Sequence, residues 1–224
     1  MTRKQKGRPA KVTTPHGDVS ITVDGPRSAE ALLLLAPGAG SNMHSDFLSF
    51  VADGLASEGI RVCRFNFVYS EVGRKAPDRH SVLEETYRAV ADHAREGWAG
   101  RVFLGGKSMG GRIGSHVVAE GYDVDGLVFF GYPLHPPGRP EKLRDEHLYQ
   151  VKPPMLFIEG SRDPFCPLPT LEKVRKKLPG LSEVAVIDGG DHSFKIRKAS
   201  GRTTADAWTE VGERAAAWMS DPPD

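Results

Sequence analysis

The chain has 224 residues, of which 39% are hydrophobic and 26% charged. That balance suits one compact domain with a sizeable core, and is too apolar for a disordered chain and too polar for a membrane bundle. Thirty basic residues against 29 acidic ones leave a formal charge of +1, so no global field draws the chain to nucleic acid and none is expected as a partner. The longest apolar run, Ala31 to Ala36, is far too short to span a bilayer. Two cysteines, Cys63 and Cys166, cannot form a disulfide framework, and the basic start lacks an apolar signal segment, so a cytoplasmic location is expected.

From Arg3 to Lys11 there are five basic residues and no acid before Asp18, with Gly7, Pro9 and Pro15 interrupting any periodicity. Residues 1–17 therefore read as a mobile basic arm, and Ser220 to Asp224, with two prolines, as a tail. Between them, residues 18–219 read as one domain. Val19 to Val23 alternates with polar residues like an edge strand. Leu32 to Ala36, Val62 to Phe67, Val102 to Gly105, Leu127 to Phe130, Met155 to Glu159 and Val184 to Ile187 are continuous apolar runs, as strands buried on both faces are. Helices are predicted over Phe47 to Leu55, from a capping box at Ser81 to Glu84 onward, from Ser108 to Gly121, from Leu171 to Leu178 and from Thr203 to Met219. Strand and helix alternate throughout. Parallel neighbours need crossover connections, so the order implies an α/β fold with a mostly parallel sheet of about seven strands and helices on both faces.

The most informative segment is Gly105-Gly-Lys-Ser-Met-Gly-Gly-Arg112. Gly106-Lys107-Ser108 could close a phosphate-binding loop, but that motif needs a glycine five positions earlier, where Arg101 stands. The same residues fit Gly106-x-Ser108-x-Gly110 between a buried strand and a helix, the context of a nucleophile elbow. A serine in that tight turn needs small neighbours two residues away on either side, and Gly106 and Gly110 supply them.

A serine hydroxyl is a weak nucleophile at neutral pH and needs a base with an orienting acid. Past the fifth apolar run comes Gly160-Ser-Arg-Asp163, and past the sixth Gly189-Gly-Asp-His192. The order Ser108, Asp163, His192 is the one the elbow architecture uses. Asp188 and Asp191 are the competing acids, but a flanking carboxylate rarely reaches its neighbour's ring. For a developing oxyanion, the backbone N–H groups of Ala39, in the Gly-rich loop after the first buried strand, and of Met109, after the nucleophile, are the expected donors. His44 and His135 fall on loops above strand ends and, with Lys107 and Arg112, are possible substrate contacts. Arg144, Arg162 and Lys195 add basic charge near the same edge. His16, His80, His93 and His147 read as surface residues, and His116 as a packed or surface one. No metal-binding spacing occurs, so neither metal nor cofactor is expected.

These residues resemble an α/β-hydrolase over about Asp18 to Met219. GGKSMGGR at Gly105 to Arg112, GYPLHPPGRPEKLRDEHL at Gly131 to Leu148, GSRDPF at Gly160 to Phe165 and GGDHSF at Gly189 to Phe194 resemble a narrower predicted-hydrolase branch. That branch includes testis-expressed protein thirty and the hydrolase-like domain of the third non-specific lethal complex subunit. The resemblance implies a catalytic set of Ser108, Asp163 and His192, supplies no substrate, and brings a rival reading as a non-catalytic interaction module. Cys166 stands where the branch leads one to expect glycine. The Pro-rich connection from Pro133 to Pro153 is too short for the helical cap of many lipases, so an open site is expected. Dienelactone hydrolases are similarly small and capless but use cysteine at the elbow. The sequence thus points to a serine esterase or thioesterase acting on a small soluble substrate.

Overall fold

The computed structural model describes residues 9–223, and its eight strands form one sheet in the order β1-β2-β4-β3-β5-β6-β7-β8. The strands are β1 (Pro9–Thr14), β2 (Gly17–Asp24), β3 (Ala31–Ala36), β4 (Arg61–Phe65), β5 (Arg101–Lys107), β6 (Gly126–Phe130), β7 (Met155–Gly160) and β8 (Ser182–Ile187). Helices α1 (Asp46–Ser57), α2 (Val68–Glu71), α3 (His80–Arg95), α4 (Met109–Ala119), α5 (Leu168–Arg175) and α6 (Thr204–Ser220) connect or follow them. From β4 to β8 all neighbours are parallel, while β1 and β2 pair antiparallel with their partners.

The run Ala31 to Ala36 illustrates why a continuous apolar strand is needed in the middle of such a sheet. Leu32 and Leu34 join the layer of α3 and α4, packing with Tyr87, Val90, Ile113 and Val117. Leu33 and Leu35 join the opposite layer, with Phe47, Val51 and Leu55 of α1 and Val211 and Ala215 of α6. Period-two alternation divides one run between two cores.

Four expectations need correction. Part of the supposed basic arm, residues 9–17, is a strand and a tight turn, and residues 1–8 lie outside the described residues. Val12 pairs with Val19, and burying both outweighs the local polarity, so β2 is not an edge strand. β8, expected to be covered on both faces, is the far edge, with Val186 42% exposed. α3 starts at His80 without a side-chain cap, and Glu84 pairs with His80 instead of capping. The actual capping box is Thr203 with Asp206, at the start of α6.

Between β6 and β7 the only helical segment among the described residues is a five-residue turn, Glu146–Gln150, and no large cap is present. No helix among the described residues is long and apolar enough to cross a membrane.

Candidate active site

β5 ends at Lys107 and α4 begins at Met109, leaving Ser108 alone to reverse the chain at φ 52° and ψ −114°. Among the described residues only Ser108 and Phe194 are non-glycines with positive φ. Such a conformation costs about 1–3 kcal/mol and persists because the surroundings impose it. Here the surroundings are backbone. A Cβ on Gly106 would lie 2.6 Å from the carbonyl carbon of Gly110 and 2.8 Å from the Ala36 oxygen; one on Gly110 would lie 2.5 Å from that oxygen. The start of α4 therefore rests directly against the ends of β5 and β3. The Tyr87 hydroxyl, 2.9 Å from Leu34 O and accepting from Gly105 N–H at 3.0 Å, ties β3 to β5 just beneath.

Gly110→Ala is expected to cost about 1–3 kcal/mol of stability, since rigid backbone must move to admit the methyl group. Gly212→Ala, where nothing lies within 4 Å of the added carbon and the residue is inside α6, is expected to gain up to about 1 kcal/mol. Urea unfolding midpoints shifting in opposite directions check both.

His192 follows β8 and Asp163 follows β7, and the sheet brings both to the elbow. His192 Nε2 is 2.9 Å from Ser108 Oγ, and His192 Nδ1 is 2.7 Å from Asp163 Oδ2. The ring's Nδ1–H donates to the carboxylate, leaving the Nε2 lone pair facing the hydroxyl. Asp163 is 5% exposed, and its other oxygen accepts from Phe165 N–H at 2.8 Å. The competing acids are occupied elsewhere. Asp191 Oδ1 accepts the N–H groups of Ser193 and Lys195, and Asp188 accepts from Ser161. Phe194, buried and stacked on Phe47 at 5.4 Å, anchors the histidine loop in its left-handed turn. Burial holds the His192 imidazolium below the ordinary histidine range despite the opposing pull of Asp163.

A cavity of about 350 Å³ opens over this line, walled by Ser108, Met109 and His192, by Ala39, by His80 and Arg112, and by Pro133, His135, Arg144 and Phe165. Ala39 and Met109, the expected oxyanion donors, thus border the same space as the hydroxyl. A Cβ on Gly38 would lie 3.8 Å from that of Ser108, so the β3 loop lies close over the elbow; the Tyr69 hydroxyl holds the loop by donating to Gly38 O. A second cavity, between α1 and α6 beside Phe50 and Trp208, contains none of these groups.

Of the four suggested substrate contacts, the structure brings two to the cavity. His135 is 5% exposed, with Nδ1 toward Pro136 O and no partner for Nε2 among the described residues. Arg112 lines the wall. His44 does not: Asn42 accepts its N–H in a local turn, Met43 is buried in its place, and His44 faces solvent. Lys107 does not either. It pairs with Phe130 across β6 and so points into the α1 and α6 layer, where its ammonium lies 5.7 Å from the Phe194 ring without a hydrogen-bond partner among the described residues. Burial brings it down to about 8, against the opposing charges of Asp163 and Glu159. Glu159, fully buried, accepts from Tyr132 N–H and is pushed well above the carboxylate range by the same loss of solvent.

Sequence reading missed a histidine cluster. His80, His116 and His147 gather around Arg112: the first two rings lie 4.3 Å apart, and His116 stacks on His147 at 3.5 Å. Only the i,i+4 spacing of Arg112 and His116 on one helix hinted at it. Donor atoms of His80, Glu84 and His116 lie within 4.8 Å of one another, the size of a metal site. Arg112 argues otherwise. Its Nη1 lies 3.2 Å from Nε2 of both His80 and His116, and a guanidinium only donates, so both nitrogens offer lone pairs and the ring protons sit on Nδ1. His80 Nδ1 then carries its proton 3.0 Å from Glu84 Oε1, and the Nε2 lone pairs of both rings are turned to the guanidinium and not to a metal cation.

A family model described as an alpha/beta hydrolase domain matches residues 29–220. Among solved structures, the chain is similar to an alpha-beta serine hydrolase homologue from Coxiella burnetii, at 18% identity and a TM-score of 0.75, covering 97% of this chain and 98% of that one. A lidless serine hydrolase from Xanthomonas campestris matches at 20% identity and a TM-score of 0.75 over 100% of both chains. A dienelactone hydrolase from Anabaena variabilis matches at 20% identity and a TM-score of 0.76, covering 97% and 98%. With an elbow, an eight-stranded sheet and a family match running from before β3 to the end of α6, the chain belongs to the alpha/beta hydrolase domain family.

Proposed function

We propose that the protein is a serine hydrolase of small esters or thioesters, working through an acyl-enzyme with Ser108 as nucleophile, His192 as base and acid, and Asp163 as the group orienting the imidazole. The carrying observation is the unbroken line from Asp163 through His192 to the strained Ser108, facing a cavity. Ser108 Oγ attacks the acyl carbonyl while His192 Nε2 takes its proton. The tetrahedral oxyanion is stabilised by the N–H groups of Ala39 and Met109. His192 returns the proton to the leaving group, and water, activated in turn by His192, releases the acid. No cofactor takes part. That serine hydrolases are among the structural neighbours agrees with this chemistry.

The four sequence stretches that resemble the testis-expressed protein thirty branch lie at the elbow, the cavity wall and the two loops holding the acid and the base, which supports that placement. Two free, buried cysteines suit a reducing, cytoplasmic setting.

A fluorophosphonate probe tests the reading: labelling of Ser108 in the folded protein, lost in Ser108→Ala and His192→Ala, is expected, with turnover of short-chain esters or thioesters. Folded protein that is neither labelled nor active on any ester would favour the interaction module instead.

The base must be neutral to accept a proton, so kcat/KM rises as pH climbs through the His192 pKa, with a midpoint below the ordinary 6.5. The Lys107 charge also disfavours the imidazolium, so Lys107→Met, similar in volume, moves that midpoint upward. A pH profile of kcat/KM for both proteins checks the pair of shifts.

A further inference from the structure

Resting on that reading, we infer that Arg112, with Arg144 beside it, is a receptor for an anion, and that the substrate carries a carboxylate a few bonds from the scissile carbonyl. Both arginines line the cavity that Ser108 and His192 open into. Arg112 follows Ser108 by one turn of α4, its N–H donating to Ser108 O at 3.1 Å, so one short acyl or alcohol chain spans the two groups.

The company Arg112 keeps is the unusual part. A half-buried guanidinium is commonly matched by a carboxylate, because a charge partly withdrawn from water without a partner is costly. Among the described residues neither Arg112 nor Arg144 has a carboxylate within salt-bridge distance. The contacts of Arg112 are the neutral Nε2 atoms of His80 and His116, and its Nε is buried without a partner among the described residues.

The imidazoles are kept neutral. Burial brings His116 down to about 3 and His147 to about 4, and the guanidinium's own charge pushes both, and His80, further the same way. His147 completes the frame. Ser115 Oγ donates to Arg112 O and the Tyr132 hydroxyl to Arg144 O, so His147 Nε2–H is the donor to both hydroxyl oxygens, and its ring stacks on His116. The cluster thus orients Arg112 by hydrogen bonds, and its one carboxylate, Glu84, opposes the guanidinium charge but faces His80 and lies beyond salt-bridge distance of Arg112.

The acid on that wall does not cancel it either. Asp78 accepts from Tyr69 N–H through Oδ2 and is paired with Arg74 through Oδ1. Two like charges facing one cavity raise each other's energy, and a carboxylate between them relieves that repulsion while a guanidinium fork matches its two oxygens.

The test compares ester pairs that differ only in that charge: 4-nitrophenyl hemiglutarate against its methyl ester for the acyl side, and 4-acetoxybenzoate against its methyl ester for the leaving-group side. In the native protein, one pair is expected to show an acid preference on the order of tenfold in kcat/KM, expressed mainly in KM. Arg112→Gln removes the preference, Arg112→Lys keeps part of it, and Arg144→Gln reduces it. Arg214→Gln, an exposed arginine on α6, leaves it intact. Circular dichroism and fluorophosphonate labelling confirm that each variant is folded. Labelled, active protein with no acid preference in either pair, or a preference that survives Arg112→Gln, overturns the anion site alone. Protein inactive on the neutral esters as well and unlabelled at Ser108 overturns the hydrolase reading, and the anion site with it.

Discussion

Replacing Ser108 by alanine is expected to lower kcat on any ester substrate by about four orders of magnitude or more, and His192→Ala by a similar factor. Combining the two should cost little beyond either alone, because the hydroxyl and the imidazole act as one unit: neither can transfer the proton without the other. Asp163→Asn is expected to fall almost as far, by about 10⁴-fold, for a different reason. An amide in that position can offer its N–H to Nδ1, which reverses the ring tautomer and directs a proton, rather than a lone pair, at Ser108. The expected residual rate in Ser108→Ala is that of cavity and oxyanion contacts alone. Pre-steady-state kinetics provide the check: a burst of leaving group followed by slower turnover in the native protein, and no burst in any of the three variants. A burst that persists in Ser108→Ala would mean that another group carries the acyl intermediate.

The largest effect on stability is expected beneath the other side of the sheet. Arg64 of β4 donates through Nε to Asp24 Oδ2 of β2 at 2.9 Å, its Nη2 lies 2.8 Å from the same oxygen, and both side chains are only 7% exposed. Arg64 Nη1 also donates to Met43 O and Ser49 Oγ, joining the loop after β3 to α1. Asp24→Ala leaves a buried guanidinium without its counter-charge and should cost about 3–5 kcal/mol, seen as a lower urea midpoint at unchanged slope. The double variant Asp24→Leu with Arg64→Met, which removes both charges and keeps apolar volume, should recover much of that loss. If the double variant is as unstable as the single one, the hydrogen bonds of Arg64 to Met43 and Ser49, rather than the ion pair, hold this corner together.

How much was legible in advance depended on how local the causes were. The nucleophile turn could be read because its requirements are packed into five residues: Gly106 and Gly110 leave no room for a side chain whatever the rest of the chain does. The proposed base and acid could be read because each follows a strand in a turn, and parallel strands all present their carboxyl ends at one rim. The β1–β2 hairpin escaped notice because Val12 is a single apolar residue in a basic stretch, and its burial is decided by Val19 and the layer behind it. Lys107 was misplaced for a related reason. Its charge suggested the rim, but strand parity turns it the same way as Phe130, into the layer under α1 and α6.

By itself, the sequence determined the alternating α/β order and the glycine-framed serine turn, and it singled out Ser108, Asp163 and His192 as the candidate set, because each signal rests on backbone sterics or on apolar periodicity over a few residues. Only the tertiary structure decided which side chains share the cavity. It set Arg112 among His80, His116 and His147, brought the Pro133 and Arg144 segment over the elbow as a wall, and turned His44 away. Those neighbours come from α3, α4 and the connection between β6 and β7, up to dozens of residues apart. Whether a histidine among them is a surface base or a neutral acceptor follows from burial and adjoining charge, which exist only once the helices have packed.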